Sequence, residues 1–182
     1  MRNHKLLIFI IILSIVGFLV FRSGGYPPMT GTVVDAVTGQ PIEGAVVLVE
    51  WTRTHGIGEH WTESFKVEDA VTGKNGKFTV AGLDVRDVDR PDVTVYKNGY
   101  VAWSSRWIFP SYENRTDFRW GDIVFKLEHF RAEYSHDAHT SFIDSSINAS
   151  LKNNYEFKET IFRAIEWEQT LAFQERLRNK KQ

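Results

Sequence analysis

The sequence predicts a mainly β protein: a sandwich of short strands over residues 27–128, followed by one C-terminal α-helix. Three observations lead to this prediction. Short β-branched runs alternate with Gly, Pro and Asn turn signals at regular spacing, which favours a sandwich over β-α-β units. Asn75-Gly76 lies between two such runs and is a strong signal for a two-residue hairpin turn. From Tyr155 to Arg178, apolar residues recur at helical spacing among good helix formers.

An apolar segment precedes the predicted sandwich. Arg2 and Lys5 stand before the run Leu6–Phe21. Its 16 residues are somewhat fewer than the roughly 20 of a membrane-spanning helix, and they match the apolar part of a secretory signal. Ser23-Gly24-Gly25 is a poor cleavage site. We therefore predict an uncleaved signal anchor over residues 1–25, with a cleaved signal peptide as the alternative.

The charges around this segment predict its orientation. Because positive flanking residues stay in the cytoplasm, the rest of the chain is expected on the other side of the membrane. In a Gram-negative bacterium this is the periplasmic side of the inner membrane. With a cleaved signal peptide, the same chain would be secreted. Tyr26-Pro27-Pro28 is expected to form a short, stiff linker into the first strand.

The predicted strands are each ended by turn residues. Val33 and Val34 suit a half-buried pleated surface, and Thr38-Gly39 ends their strand because Gly accepts the positive φ of a tight turn. Pro41 suits the edge of the following strand. Val46–Val49 is continuously apolar, which is typical of a strand covered on both faces, although four residues alone leave a helix open. Later strands are predicted within Trp51–His55, Trp61–Val67, Gly73–Val80, Asp92–Tyr100, Tyr100–Ile108 and Trp120–Leu127.

A long hairpin is predicted between residues 51 and 67. Its tip surrounds Gly56-Ile-Gly58, and residues 61–67 alternate between apolar and polar side chains, as expected of a half-exposed strand. Tryptophan rings can form stacking platforms for sugars, although they more often fill cores. The candidate binding residues are Trp51, Trp61, His55 and His60, all of which belong to this hairpin.

One five-residue sequence occurs twice. Asp-Ala-Val-Thr-Gly is present at Asp35–Gly39 and again at Asp69–Gly73. A repeat this short indicates shared turn chemistry rather than the period of a repeat protein. Both copies are therefore expected to form turns.

Together these blocks resemble a known family. Gly31–Asp35, Pro41–Val49, Gly73–Val80 and Asp92–Tyr100, each a strand with its turn residues, are similar to the carboxypeptidase regulatory-like family. The resemblance implies a transthyretin-like (prealbumin-like) seven-stranded β-sandwich, which is also similar to carbohydrate-binding-like folds. The predicted domains are then the anchor at 1–25, the sandwich at 27–128, a linker at 129–150 and a C-terminal amphipathic helix at 151–182.

Composition excludes some function classes. Lys and Arg total 22 and Asp and Glu total 23, for a net charge of −1. This leaves no basic footprint for nucleic acid. The chain has no Cys, so it has neither disulfides nor a cysteine metal site.

A histidine-rich stretch follows the predicted sandwich. Imidazole nitrogens can ligate transition metals, but these residues lack the i, i+4 spacing of the helical zinc motif. Solvated loop histidines are the alternative interpretation, and we expect no cofactor and no catalytic residue here. The candidate metal ligands are His129, His136, Asp137 and His139.

The C-terminal helix carries more apolar surface than one contact face requires. Because an isolated helix of this length is marginal in water, its main stripe must be buried against another surface. The main stripe consists of Phe157, Ile161, Ala164, Ile165, Leu171 and Ala172. A second patch consists of Phe162, Trp167 and Phe173.

The resemblance also directs the prediction of function. In carboxypeptidases the similar domain is an accessory to a catalytic domain, and this sequence presents no catalytic domain beside it. We therefore expect a non-enzymatic, membrane-anchored, extracytoplasmic binding or scaffolding module, with a cell-envelope protein or a glycan as its partner. The alternatives are a carbohydrate-binding module and a small metal-dependent enzyme that uses the scattered histidines.

Overall fold

The computed structural model describes residues 25–56, 59–147 and 159–181. The anchor predicted at Leu6–Phe21 lies outside these ranges, and within them no helix is long and apolar enough to cross a membrane. The helices are α1 (His136–Ser146) and α2 (Glu159–Asn179). The strands are β1 (Met29–Asp35), β2 (Val46–His55), β3 (Trp61–Val71), β4 (Lys77–Val80), β5 (Asp92–Tyr96), β6 (Trp103–Ser104), β7 (Trp107–Ile108), β8 (Glu113–Asn114) and β9 (Ile123–Leu127).

Seven of these strands form two facing sheets. In the first sheet, β1 lies between β4, to which it is antiparallel, and β9, to which it is parallel. The second sheet has the order β3-β2-β5-β6 and is antiparallel throughout. Strands β7 and β8 form a separate two-stranded ribbon. The prediction of a mainly β sandwich with a C-terminal helix is thus confirmed.

The main core lies between the two sheets. Inward-facing side chains of both sheets form one continuous cluster, and burying one large apolar side chain contributes roughly 1.5–3 kcal/mol. The first sheet supplies Met29, Val33, Phe78, Val80, Phe125 and Leu127. The second sheet supplies Val47, Val49, Trp51, Val93 and Val95.

Strand β2 is covered on both faces, as its continuous apolar sequence predicts. Val47 and Val49 face the core between the sheets. Val46 and Leu48 face the opposite side and belong to a second core under the helices. Successive residues of a strand point to opposite faces, so a strand between two apolar layers needs apolar residues at every position.

Two turn predictions have different outcomes. Strands β2 and β3 form the predicted long hairpin, which ends at the pair His55 and Trp61. At Asn75-Gly76 a turn is present, with Gly76 at a φ of 70°, but the predicted hairpin is wrong. Because β3 pairs in the second sheet and β4 in the first, this turn carries the chain between the sheets. A Cβ at position 76 would lie 2.5 Å from the Val33 carbonyl oxygen, so this close approach also requires glycine.

The two copies of Asp-Ala-Val-Thr-Gly fold differently. Asp35 ends β1 and accepts hydrogen bonds from the backbone N–H groups of Val37 and Thr38 at 2.9 and 2.8 Å, which form a turn. Asp69 instead lies within β3, opposite Leu48 of β2. The prediction of a turn is therefore wrong for Asp69, because pairing with a neighbouring strand overrides the local preference.

The predicted linker at 129–150 is wrong for residues 136–146, which form α1. The helix begins after Ser135, whose side chain accepts a hydrogen bond from the backbone N–H of Ala138 at 3.2 Å, a common N-cap. No apolar period marks this helix because its buried face mixes apolar and polar residues. That face consists of His139, Thr140, Phe142, Ile143 and Ser146.

Helices α1 and α2 form a third layer on the outer face of the second sheet. Asp137, at the start of α1, contacts Glu175 and Arg176, near the end of α2, so the two helices run antiparallel. Their inner faces and the outward-facing residues of the sheet share a second core. Its members include Val46, Leu48, Val67, Tyr96, Phe142, Ile143, Ile147, Ile161 and Ile165.

Helix α2 buries three residues of the predicted stripe and exposes part of the second patch. Ile161, Ile165 and Ala172 are buried, and the two isoleucines belong to the core shared with the sheet and α1. Trp167 is 43% exposed and Phe173 is 59% exposed. The helix therefore packs through one face and presents aromatic side chains on others. Residues 155–158 of the predicted helix, which include Phe157 of the main stripe, lie outside the described ranges.

We expect the double change Ile161→Asp and Ile165→Asp to release α2 from the sandwich. Both side chains are buried, and an unpaired charge in an apolar core has no compensating partner. Circular dichroism should show loss of helical signal while the β signal persists. Phe173→Asp, on an exposed position of the same helix, is the control and should leave the helical signal unchanged. Full helix content in the double variant would contradict this packing.

Candidate binding site

A buried carboxylate lies at the centre of the helical layer. The side chain of Glu168 is 1% exposed. It shares the buried face of α2 with Ile165 and Ala172, at a position where an apolar residue is expected. An ionised carboxylate is costly to bury unless hydrogen-bond donors surround it. Three side chains supply these donors: Tyr96, His136 and His139.

The three donors divide between the two carboxylate oxygens. Oε1 of Glu168 lies 2.6 Å from Nδ1 of His136 and 3.0 Å from Nδ1 of His139. Oε2 accepts a hydrogen bond from the hydroxyl of Tyr96 at 3.1 Å. Tyr96 belongs to β5 and the histidines to α1, so this one carboxylate joins α2 to both the sheet and the other helix.

Burial and hydrogen bonding shift the pKa of Glu168 in opposite directions. Burial raises the pKa, but the hydrogen bonds from His139 and His136 outweigh it and hold the pKa below its ordinary value. The pKa of Tyr96 is raised, first by burial and then by the negative charge of Glu168. Near neutral pH the cluster therefore contains an ionised carboxylate and a neutral tyrosine.

His139 uses both ring nitrogens inside the protein. Its Nε2 accepts a hydrogen bond from the backbone N–H of Ala102 at 2.9 Å and so carries no proton. Nδ1 then carries the proton that faces Glu168. The ring is fully buried and contacts the rings of Phe109 and Phe130. These contacts give His139 a structural role.

His136 differs because it reaches the surface. Its ring stacks on Phe130 with 4.4 Å between centroids, and Trp167 meets it edge-on at 6.0 Å. The side chain is 24% exposed. In the described part of the chain, Nε2 of His136 has no hydrogen-bond partner. The ring is thus fixed in orientation by Glu168 while one nitrogen stays available.

An open groove of about 430 Å³ lies beside this ring, and we call it the His136 groove. Aromatic rings, two guanidinium groups and one carboxylate meet there. Its volume is within the range of small-molecule sites, which is roughly 300–1,000 Å³. The lining residues are Phe130, Arg131, Ala132, Tyr134, His136, Glu175 and Arg178.

The four candidate metal ligands are divided among three different partners in the structure. His136 and His139 share Glu168. His129 faces Asp35 instead, and Asp137 pairs with an arginine of α2. Within residues 25–56, 59–147 and 159–181, no group of three or more His, Cys, Asp or Glu side chains could hold a metal ion. The geometry therefore does not favour the metal-dependent alternative.

His129 takes part in a second polar cluster at the end of β1. Oδ2 of Asp35 lies 2.6 Å from Nε2 of His129 and accepts a hydrogen bond from the hydroxyl of Tyr100 at 3.2 Å. The two rings stack with 4.6 Å between centroids. The backbone N–H of Thr38 is the main cause that lowers the pKa of Asp35 to about 2. This cluster fixes the turn after β1 against the end of β9.

The hairpin separates the candidate binding residues. Trp51 is fully buried in the main core, so it cannot present a ring to a ligand, against expectation. Trp61 is 57% exposed and stacks on His55 with 4.4 Å between centroids. Nε2 of His55 lies 2.9 Å from a carboxylate oxygen of Glu63, which orients the ring. His60 is exposed beside them, so three of the four residues meet at the hairpin tip.

Sequence reasoning missed Glu168 and Tyr96, although one signal was present. Glu168 occupies the apolar stripe of α2, three residues after Ile165 and four before Ala172. A charged residue at a core position of a helix indicates a buried partner. The partner on β5 has no such signal, because a tyrosine in a strand is common.

Comparison with known proteins identifies the sandwich. The family model for the carboxypeptidase regulatory-like domain matches residues 28–119, which is half of the chain. The matched segment ends before β9 and the helical layer. A search of curated proteins returns no match.

We expect the helical layer to lose stability in acid. The pKa of Glu168 lies below its ordinary value of 4.5 in the folded chain, so the unfolded chain binds a proton first as the pH falls. The contribution of this carboxylate to the free energy of unfolding is therefore complete above about pH 4.5 and is lost as the pH falls through the folded-state pKa. Urea unfolding, followed by far-ultraviolet dichroism from neutral pH downwards, measures this loss.

Glu168→Gln tests the same contact at neutral pH. An amide cannot accept from all three donors, so we expect a loss of about 1.5–3 kcal/mol, the value of a hydrogen bond to a charged group. The acid dependence should also weaken. Glu166→Gln, at an exposed position two residues earlier, is the matched control. Equal stability of the two variants would show that the buried carboxylate does not hold the layer together.

Proposed function

Because the chain belongs to the carboxypeptidase regulatory-like domain family, we propose that it is a non-enzymatic binding or scaffolding module, held at a membrane on the extracytoplasmic side. Domains of this family are non-catalytic β-sandwich modules. The proposed partner is a protein of the cell envelope, which the sandwich and its helices would contact as a rigid unit.

The main observation that supports this proposal is the helical layer. In this chain the outer face of the second sheet is covered by α1 and α2, and Glu168 fixes both helices to the sheet. Phe173 and Leu177, one turn apart on α2, are 59% and 44% exposed. Large apolar side chains at neighbouring exposed positions are typical of interaction surfaces. The layer therefore adds a firmly held apolar surface to a common sandwich.

Membrane attachment rests on the sequence before residue 25. The basic flank and the apolar run Leu6–Phe21 favour a signal anchor with its N-terminus in the cytoplasm. Tyr26 is hydrogen-bonded to Leu83 at the edge of the sandwich, so only four residues separate the proposed anchor from the folded domain. Such a short connection would hold the module close to the bilayer surface.

The exposed tip of the β2–β3 hairpin favours carbohydrate binding as a second candidate function. One face of the Trp61 ring stacks on His55, and Glu63 lies on the same side of the hairpin, with its carboxylate in contact with His55. A flat aromatic ring with an imidazole and a carboxylate beside it is suited to a sugar.

We expect the full chain to stay in membranes after alkaline extraction and, in mild detergent, to sediment as an assembly larger than one chain. Phe173→Asp should reduce the assembly to a single chain, because a charge replaces an apolar contact. Val37→Asp, at an 84% exposed position on the sandwich, is the matched control. A mature N-terminus at Tyr26 in the soluble fraction would overturn the anchor, and a single-chain wild type would overturn the scaffold.

For the carbohydrate alternative, we expect Trp61→Ala to weaken retention on immobilised cell-envelope glycans by about tenfold, equivalent to about 1.4 kcal/mol. The physical reason is the loss of the stacking platform. Trp167→Ala removes an exposed tryptophan on the helical layer and should leave retention unchanged. If the wild-type chain is not retained by any glycan, this second function is excluded.

A further inference from the structure

From the His136 groove, we propose that this protein binds a small oxyanion that carries an apolar body, such as an aromatic carboxylate or phosphate. This ligand class makes the proposed function more specific. It rests on that function only in assuming that the module binds a ligand. None of the candidate residues from sequence reasoning other than His136 lines this groove.

The first argument is the fixed orientation of the His136 ring. Its Nδ1 is 2.6 Å from the buried carboxylate of Glu168, and its face is covered by Phe130. Nε2 is thereby left as the polar atom that a ligand can reach, and it donates a hydrogen bond to an oxyanion when the ring carries a proton on both nitrogens. Because Glu168 is itself held by Tyr96, the ring is preorganised and loses little freedom when a ligand binds.

The second argument is the charge of the groove. Arg131 and Arg178 bring two guanidinium groups, and the lining carboxylate of Glu175 already accepts a hydrogen bond from the backbone N–H of Asp137 at 3.0 Å. Arg131 contacts Glu128 at 3.4 Å and Glu133 at 3.7 Å, but all three side chains are more than half exposed, so these pairs are weak. Guanidinium groups bind planar oxyanions through paired hydrogen bonds.

The third argument is the apolar wall. Phe130 and Tyr134 line the groove with their rings 5.6 Å apart and nearly perpendicular, and Ala132 leaves space between charged neighbours. An inorganic ion would leave these aromatic surfaces in water. A ligand with a ring or a short hydrocarbon body would cover them and gain burial of apolar area.

The test uses the full chain in detergent micelles with isotope-labelled histidine rings. Benzoate and phenyl phosphate should each shift the Nε2 resonance of His136, while benzamide, which has the same shape without the charge, should not. Benzoate binding more tightly than phenyl phosphate would identify a carboxylate ligand, and the reverse order would identify a phosphate. Failure of both probes to shift this resonance would overturn the proposal.

Two arginine variants test the location. Arg178→Gln should weaken binding of the better probe by at least about tenfold, because a charge-assisted contact is lost. Arg163→Gln removes the same group from the other end of α2 and should leave binding unchanged. Equal weakening by both variants would overturn the assignment to this groove. A chain that binds the probe but leaves the membrane in alkaline extraction would retain the groove and lose the proposed anchor.

Discussion

The arrangement of the helical layer depends on one buried charge. Glu168 cannot be solvated by water, so its position is allowed only where donors from other elements converge on it. Those donors come from β5 and α1, and each is itself held: Tyr96 in the sheet and His139 by the backbone of Ala102. Apolar contacts alone permit several rotations and shifts of a helix on a sheet. The hydrogen bonds to this carboxylate form in only one of these arrangements. Removing Glu168 leaves the hydroxyl of Tyr96 and Nδ1 of His139 buried without this acceptor.

Much of the sandwich follows from local sequence. The continuous apolar run of β2 predicts a strand between two apolar layers, and the second layer proves to be the helical pair. The turn at Asn75-Gly76 is predicted, but whether it closes a hairpin depends on strand pairing elsewhere in the chain. The repeated Asp-Ala-Val-Thr-Gly sequence also shows that strand pairing decides the local structure. Asp35 caps a turn, and Asp69 lies in a strand because β2 is available beside it.

The candidate site was less predictable than the fold, for a physical reason. His136 precedes Glu168 by 32 residues, and His139 is only three residues closer, yet both meet Glu168 in space. The residue type alone suggested metal ligands, since imidazole nitrogens often bind metal ions. The structure instead uses them as donors to a carboxylate. Trp51 was predicted to be a binding residue, but it is buried in the core. The sequence could not separate the two roles, because a tryptophan in a strand is as compatible with a core as with a stacking platform.

The position of the helices also determines which surfaces can serve a partner. Without them, Val46, Leu48, Val67 and Tyr96 would form an exposed apolar sheet face, which is prone to non-specific association. The helices cover that face, so interaction must shift to their own outer sides and to the groove between their ends. That groove lies where the start of α1 meets the end of α2, and the positions of Arg178 and Glu175 in it are fixed by the same packing that buries Glu168. Stability of the layer and recognition at its edge therefore depend on one set of contacts, and a change that loosens α2 should affect both.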